Sequence, residues 1–239
     1  MSKKRTPKAE LKARKAERIA RKKKMQKTAG IIALVVVALV VGVLVLNSLK
    51  KPENYINTKS NGFKGYGGEK GTATHLATLE VEDYGTIKLE LYGNDAPISV
   101  HNFVALANMG FYEGLPFHRI IDGFMMQGGG DATKEIEPIK GEFSANGVEN
   151  NLLHNRGAIS MARTNVMDSA TSQFFIVHEE SENNHYSLDG KYACFGYVVE
   201  GMEVVDAIIE ATAHTATDGN GGIPSKYQPV IKSLTVEKK

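Results

Sequence analysis

The sequence predicts a mainly β, antiparallel, barrel-like domain carrying two α-helices and preceded by one transmembrane helix. Three observations carry this. Stretches of period-two alternation fill the C-terminal two thirds, two segments show helical apolar stripes, and the 22 residues from Thr28 to Leu49 hold no charge.

The formal net charge of +2 averages two unlike parts. Residues 1–27 hold 13 Lys or Arg against two Glu, a net +11, while the other 212 residues hold 16 basic and 25 acidic groups, a net −9. An acidic body argues against nucleic acid as a partner. The basic tail packs Arg21, Lys22, Lys23 and Lys24 side by side. It reads as a tail at a membrane surface in preference to an RNA-binding arm.

As a helix, the uncharged run would span about 33 Å, enough for a hydrocarbon core. Its centre, Gly30–Leu46, has no polar face. Basic residues crowd its N-terminal side, and only Lys50 and Lys51 follow closely. That bias puts the N-terminus in the cytoplasm and the C-terminal domain outside, in a single-pass cell-membrane protein. A cleaved signal peptide is the competing reading, but Asn47–Pro52 offers no small-x-small cleavage site. No cysteine follows the run closely, which excludes a lipoprotein anchor.

The organisation expected is a basic tail (1–27), a transmembrane helix (28–49), a flexible linker (50–71) and a folded domain (72–237). The linker reading rests on Pro52, Asn54, Asn57, Ser60, Asn61, Gly62, Gly65, Gly67 and Gly68.

Within the domain, HLATLEVED and GTIKLELYG alternate apolar and polar residues and predict a hairpin turning near Asp83-Tyr84-Gly85. In NDAPISVHNFVALANMGFY, Pro97 suits a first helical turn with Asp95 as its cap, Val100, Phe103, Val104 and Ala107 form the stripe, and Gly110 marks the stop. GAISMAR, SQFFIVH and YACFGYVV read as short strands, GMEVVDAIIE as the second helix and YQPVIKSLTVE as a closing strand. This pattern points to a closed antiparallel barrel, although periodicity alone does not establish closure.

The single cysteine, Cys194, can form no internal disulfide and reads as a core residue. No Cys/His cluster has zinc spacing, and neither HExxH nor GxSxG occurs. Gly128-Gly129-Gly130 lacks the Lys and Ser/Thr of a phosphate loop and reads as tight backbone. His118 reads as packing.

Three blocks carry a further signal: Ala96 to Asp131, which contains FHRIIDGFMMQGG; Gly157 to Ile176, with GAISMAR and SATSQFFI; and Ser187 to Ile208, SLDGKYACFGYVVEGMEVVDAI. In order and spacing they resemble the cyclophilin family, in the form of a bacterial membrane-anchored member. The resemblance implies a closed eight-stranded antiparallel β-barrel capped by two helices. It implies peptidyl-prolyl cis/trans isomerase activity without a cofactor or metal, and proline-containing segments of exported or surface proteins as partners. It implies Arg119 as the catalytic residue. Phe124, Met125, Gln127, Ala162, Arg163, Gln173, Phe175, Leu188 and Tyr192 match the family's peptide-binding positions. The catalytic domain is expected to be monomeric.

Three departures stand out. Arg163 replaces the family's common asparagine, Ser187 the aromatic residue before LDG, and Tyr192 a frequent histidine. The change at Ser187 predicts weak cyclosporin sensitivity. The competing function is a membrane-tethered peptide-binding chaperone or scaffold with incidental isomerase activity.

Overall fold

The computed structural model describes residues 14–27, 30, 34, 37, 38, 41 and 51–239. The chain divides into two units, 1–53 and 54–239. In the first, residues 14–27 are helical and exposed. The expected transmembrane helix, 28–49, lies almost wholly outside the described residues. Its five described positions, Gly30, Leu34, Val37, Ala38 and Val41, are helical and exposed. No helix among the described residues is long and apolar enough to cross a membrane.

In the second unit, β2 (His75–Val81) and β3 (Gly85–Leu91) form the expected hairpin. Asp83 and Gly85 take positive φ at its turn. Helix α1 follows (Pro97–Asn108), then β4 (Phe117–Ile121), β5 (Met125–Gly128), β7 (Ala158–Met161) and β8 (Phe174–Val177). Helix α2 (Glu182–Leu188), β9 (Cys194–Glu200), α3 (Met202–Thr212) and β10 (Ile231–Lys238) complete it. Two two-residue strands, β1 (Tyr55–Ile56) and β6 (Glu135–Ile136), pair in parallel apart from the main sheet.

The main sheet has eight strands in the order β10-β2-β3-β9-β7-β8-β5-β4. All neighbouring pairs in it are antiparallel. The expectation of a closed barrel needs correction, because β4 and β10 share no ladder. Their junction is a seam with one bridge, Pro116–Val230. The bonds there run from Phe117 N to Pro229 O (2.8 Å), Gly114 N to Ile231 O (2.8 Å) and Ile231 N to Leu115 O (2.9 Å). Part of the reason is chemical: Pro229 accepts from Phe117 N but has no N–H to return to Phe117 O, and Ile231 O takes its bond from Gly114 N instead of Leu115 N.

Helix α1 stops as expected. Gly110 takes φ 67°, and Gly110 N and Phe111 N donate to Ala107 O and Leu106 O, a Schellman pattern. Its start differs. Asp95 accepts from Gly71 N instead (2.8 Å), and the helix is capped from afar by Glu142. That carboxylate accepts from Ile98 N (2.9 Å), Ser99 N (2.7 Å) and Ser99 Oγ (2.7 Å). Glu142 is buried, and burial pushes its pKa up against those three bonds.

Two other expectations are corrected. A third helix, α2, joins the two anticipated; its N-cap Ser181 accepts from Asn184 N (3.1 Å). The stretch read as a flexible linker is held to the domain from Asn54 onward. Thr58 donates to buried Asn102 (2.8 Å), and Phe63 stacks on His101 with ring centroids 4.3 Å apart. Scattered polar bonds and a few rings, Phe63 and Tyr66 among them, anchor this stretch without any periodic stripe, so its Gly- and Asn-rich composition reads as tether.

The core lies in two clusters. The larger joins α1, α3 and one face of the sheet, with Phe103, Tyr112, Phe117, Phe174 and Phe195 at its centre. The smaller gathers Met125, Ala158, Phe175, Val177, Leu188 and Cys194. Cys194 is fully buried as expected, and burial raises its thiol pKa to about 12.

Candidate active site

Met125, Phe175 and Leu188 of the smaller cluster line a pocket of about 170 Å³, together with Arg119, Phe124, Gln127, Ala162, Arg163 and Tyr192. Every residue that the sequence motifs nominated is in that lining except Gln173. Gln173 lines an adjoining hollow of about 160 Å³, together with Gln127, Ala162, Arg163, Thr164, Ser169 and Thr171. The two spaces share Gln127, Ala162 and Arg163.

Strand register explains the convergence. Arg119 on β4 lies opposite Gln127 on β5, and Gln127 lies opposite Phe175 on β8. Side chains alternate along a strand, so Phe175 and Val177 face the pocket cluster while Phe174 and Ile176 face the main core. Close backbone packing keeps this part of the sheet tight. A Cβ at Gly128 would lie 2.7 Å from both the Phe117 ring and Pro116 O, which accounts for glycine there.

Arg119 is held on two sides. Its Nε donates to Asn220 O (2.7 Å) and its Nη1 to Gln127 Oε1 (3.2 Å), with Met125 Sδ 3.9 Å away. Gln127 in turn donates to Gln173 Oε1 (2.9 Å). Asn220 was not anticipated. It sits in a turn in which Asp218 accepts from Asn220 N (3.0 Å) and Gly222 N (2.9 Å), and the run Asp218-Gly219-Asn220-Gly221-Gly222 signals a turn but not its target.

Arg163 forms the opposite wall. Its Cζ lies 4.5 Å from the Tyr192 ring centroid and 5.0 Å from that of Phe143. Its Nε and Nη2 donate to Lys191 O, and its Nη1 to Thr164 O. The departures Arg163 and Tyr192 are therefore partners. Ser187 is exposed, its hydroxyl donates to Asn184 O (3.1 Å), and it does not line the pocket.

Behind the pocket runs a largely buried polar chain centred on His154, a residue outside the three sequence blocks. Asp189 Oδ1 accepts from His154 N and faces His154 Nδ1, both at 2.8 Å; His154 Nε2 lies 3.0 Å from Ser160 Oγ. The His154 ring stacks on Phe175, 6.0 Å between centroids and 15° between planes. Burial lowers the pKa of His154, opposed by its bond to Asp189. With the ring neutral, Nδ1–H donates to Asp189 and Nε2 accepts from Ser160. His118 is half-buried beside Arg119, and burial first, then that neighbouring charge, lowers its pKa.

Among the described residues, Asp122, His178 and Glu179 bring possible metal-ligand atoms within 4.8 Å. Both ring nitrogens of His178 already have partners: Nδ1 accepts from Gly123 N (3.0 Å) and Nε2 lies 3.3 Å from Asp206.

Residues 76–236 match the family model for cyclophilin type peptidyl-prolyl cis-trans isomerases. The chain belongs to this family. It is 44% identical to peptidyl-prolyl cis-trans isomerase A of Dickeya dadantii over 169 residues, covering 70% of this chain and 87% of that protein. It is 44% identical to a peptidyl-prolyl cis-trans isomerase of Acinetobacter baylyi over 188 residues, covering 72% and 95%. The fold is similar to the crystal structure of a Cryptosporidium parvum cyclophilin type peptidyl-prolyl cis-trans isomerase, with TM-score 0.57, 25% identity and coverage of 70% of this chain and 99% of that one. The chain is a cyclophilin-type peptidyl-prolyl cis-trans isomerase.

Proposed function

We propose that this cyclophilin is tethered to the membrane and accelerates X-Pro rotation in exported or surface proteins, with Arg119 as its catalytic residue. The observation that carries the catalytic part is the fixed Arg119 guanidinium at the edge of an apolar floor made by Phe124, Met125, Phe175 and Leu188.

Peptide-bond rotation is opposed by a barrier of about 18–20 kcal/mol, because resonance stiffens the C–N bond. The two X-Pro isomers lie within about 1 kcal/mol, yet exchange in tens of seconds or more. No bond need be broken; the twisted state must be bound better than either planar state. On twisting, the proline nitrogen recovers its lone pair and becomes an acceptor. Arginine is always protonated and carries five N–H donors. Two of these go from Nε and Nη1 to Asn220 and Gln127, and Nη2 makes no hydrogen bond among the described residues, so it has donors available for the twisted nitrogen. Because the guanidinium is already fixed, little reorganisation accompanies the reaction. The apolar floor takes the proline ring, while Gln127, Gln173 and the backbone at Ala162 and Arg163 hold the flanking peptide.

Support for the tether comes from the uncharged 28–49 run, its basic N-terminal flank, and the open exposure of Leu34 (72%), Val37 (59%) and Val41 (51%). The exposed Ser187, turned back to its own helix, supports weak cyclosporin binding.

The deciding experiment measures cis-to-trans exchange of an Ala-Pro peptide with the full chain. Arg119→Ala is expected to lower kcat/KM by about 10²–10³, the cost of removing one transition-state donor. Equal rates would remove Arg119 from the mechanism. For topology, protease added to intact cells of a single-membrane host should digest the C-terminal domain, and full protection would refute the outward orientation.

A further inference from the structure

Two guanidinium groups open on one small pocket, and neither meets a carboxylate there. Arg119 and Arg163 both line it, and among the described residues no Asp or Glu lines either the pocket or the adjoining hollow. Arg119 bonds to a carbonyl, an amide oxygen and a thioether. Among the described residues Arg163 bonds to carbonyls alone, at 2.9 and 2.7 Å to Lys191 and 2.8 Å to Thr164. This is unexpected chemistry in a body that carries a net −9 outside the basic tail, 16 basic against 25 acidic residues. Carboxylates are abundant on the domain, yet none lines this site.

Arg163 is also presented for use. The Tyr192 and Phe143 rings fix its plane, and the two carbonyls occupy three of its five N–H groups. The remaining two, one on Nη1 and one on Nη2, suit a carboxylate. A side chain already held in place loses little rotamer freedom on binding a ligand.

We infer that Arg163 is a specificity-determining residue that selects peptides bearing Asp or Glu beside the proline, the acidic side chain lodging in the hollow lined by Arg163, Thr164, Thr171 and Gln173. The inference rests on the isomerase reading of the same pocket. The selection is local, because the long-range field of an acidic body repels acidic peptides.

The test compares exchange rates of three peptides, Ala-Glu-Pro-Phe, Ala-Gln-Pro-Phe and Ala-Lys-Pro-Phe, with the full chain in nonionic detergent. At low salt, kcat/KM for the Glu peptide should exceed that for the Lys peptide by about five- to tenfold, the size of one charge-assisted contact at a partly exposed site. Raising ionic strength from about 0.01 to about 1 M shrinks the screening length from about 30 to about 3 Å; it removes the body's repulsion of acidic peptides first, so the ratio should hold or rise at intermediate salt and fall toward one only as the screening length nears the contact distance. Arg163→Gln should bring it to one or below at low salt. The salt series on the unaltered chain carries the test even if that variant fails to fold. Equal rates for the three peptides at low salt would overturn the inference while leaving the isomerase reading intact. So would a preference that survives Arg163→Gln unchanged. Loss of exchange on all three peptides with the unaltered chain would count against the isomerase reading itself.

Discussion

Phe174 and Phe175 are neighbours on β8, and they enter opposite kinds of surroundings. Phe174 meets the rings of Phe103, Tyr112 and Phe117 edge-on, with centroids 5.4, 5.6 and 5.9 Å away. Its cluster draws on α1, α3 and the inner strands, and it is filled. Phe175 has His154 stacked on one side and Tyr192 edge-on at 5.8 Å, and it also faces the pocket. Both phenylalanines are buried, at 0% and 4% exposure. The lesson is that burial does not separate core from site in this molecule. The difference is whether the far side of the ring is occupied by the protein or left for a ligand.

The largest effect expected from this comparison is on stability. Phe174→Ala should cost about 3–5 kcal/mol, the range for opening a large cavity in a filled core, with little change in KM. Phe175→Leu should cost roughly 1–2 kcal/mol and raise KM roughly tenfold by loosening the proline pocket. Denaturant melts and peptide-exchange kinetics on both variants check the pair, and a KM rise in Phe174→Ala as large as in Phe175→Leu would dissolve the distinction.

Next comes the cap on the filled side. Glu142→Ala strands the N–H groups of Ile98 and Ser99 at a buried helix start. A loss of about 2–3 kcal/mol is expected, again by denaturant melt, with peptide KM unaltered.

The smallest effect is a pH slope on the pocket side. Burial holds the folded pKa of His154 below its unfolded value of about 6.5. The unfolded chain therefore takes up the proton first as pH falls, and stability declines below about pH 6.5. His75 and His118, also lowered, add to the same slope. Thermal melts across this range should be flatter for His154→Gln than for the unaltered chain; an unchanged slope would mean that His154 is not held neutral.

Local patterns carried much of the fold into the sequence. The β2–β3 hairpin, the Schellman stop at Gly110 and the strands β7 to β10 follow from periodicity and turn chemistry within a few residues. What was not legible depends on partners distant in sequence. Glu142 caps a helix 43 residues away, a contact with no local signature. Helix α2 has no apolar stripe in Glu-Asn-Asn-His-Tyr-Ser-Leu; Asn184 ties it down through Gly123 O and Glu179 O. The pocket residues were legible as a set because their motifs keep family spacing. The groups that set their geometry were not: Asn220 acts through a backbone carbonyl, and His154, which joins Asp189 of SLDGKY to Ser160 of GAISMAR from behind the wall, lies outside every block.

The proline-marked seam has a consequence for an enzyme whose substrates are chains with unpaired backbone. A bare sheet edge would recruit such chains as extra strands and become clogged by the material it handles. In this sheet the outer side of β4 is occupied: Ile120 N bonds to Gly221 O and Ile223 N to His118 O, each at 2.9 Å. The start of β10 is covered by the backbone of Gly114 and Leu115. Pro229, with no N–H, leaves a visiting strand one donor fewer to zip onto. An extended chain arriving at β4 or at the start of β10 finds those edges taken.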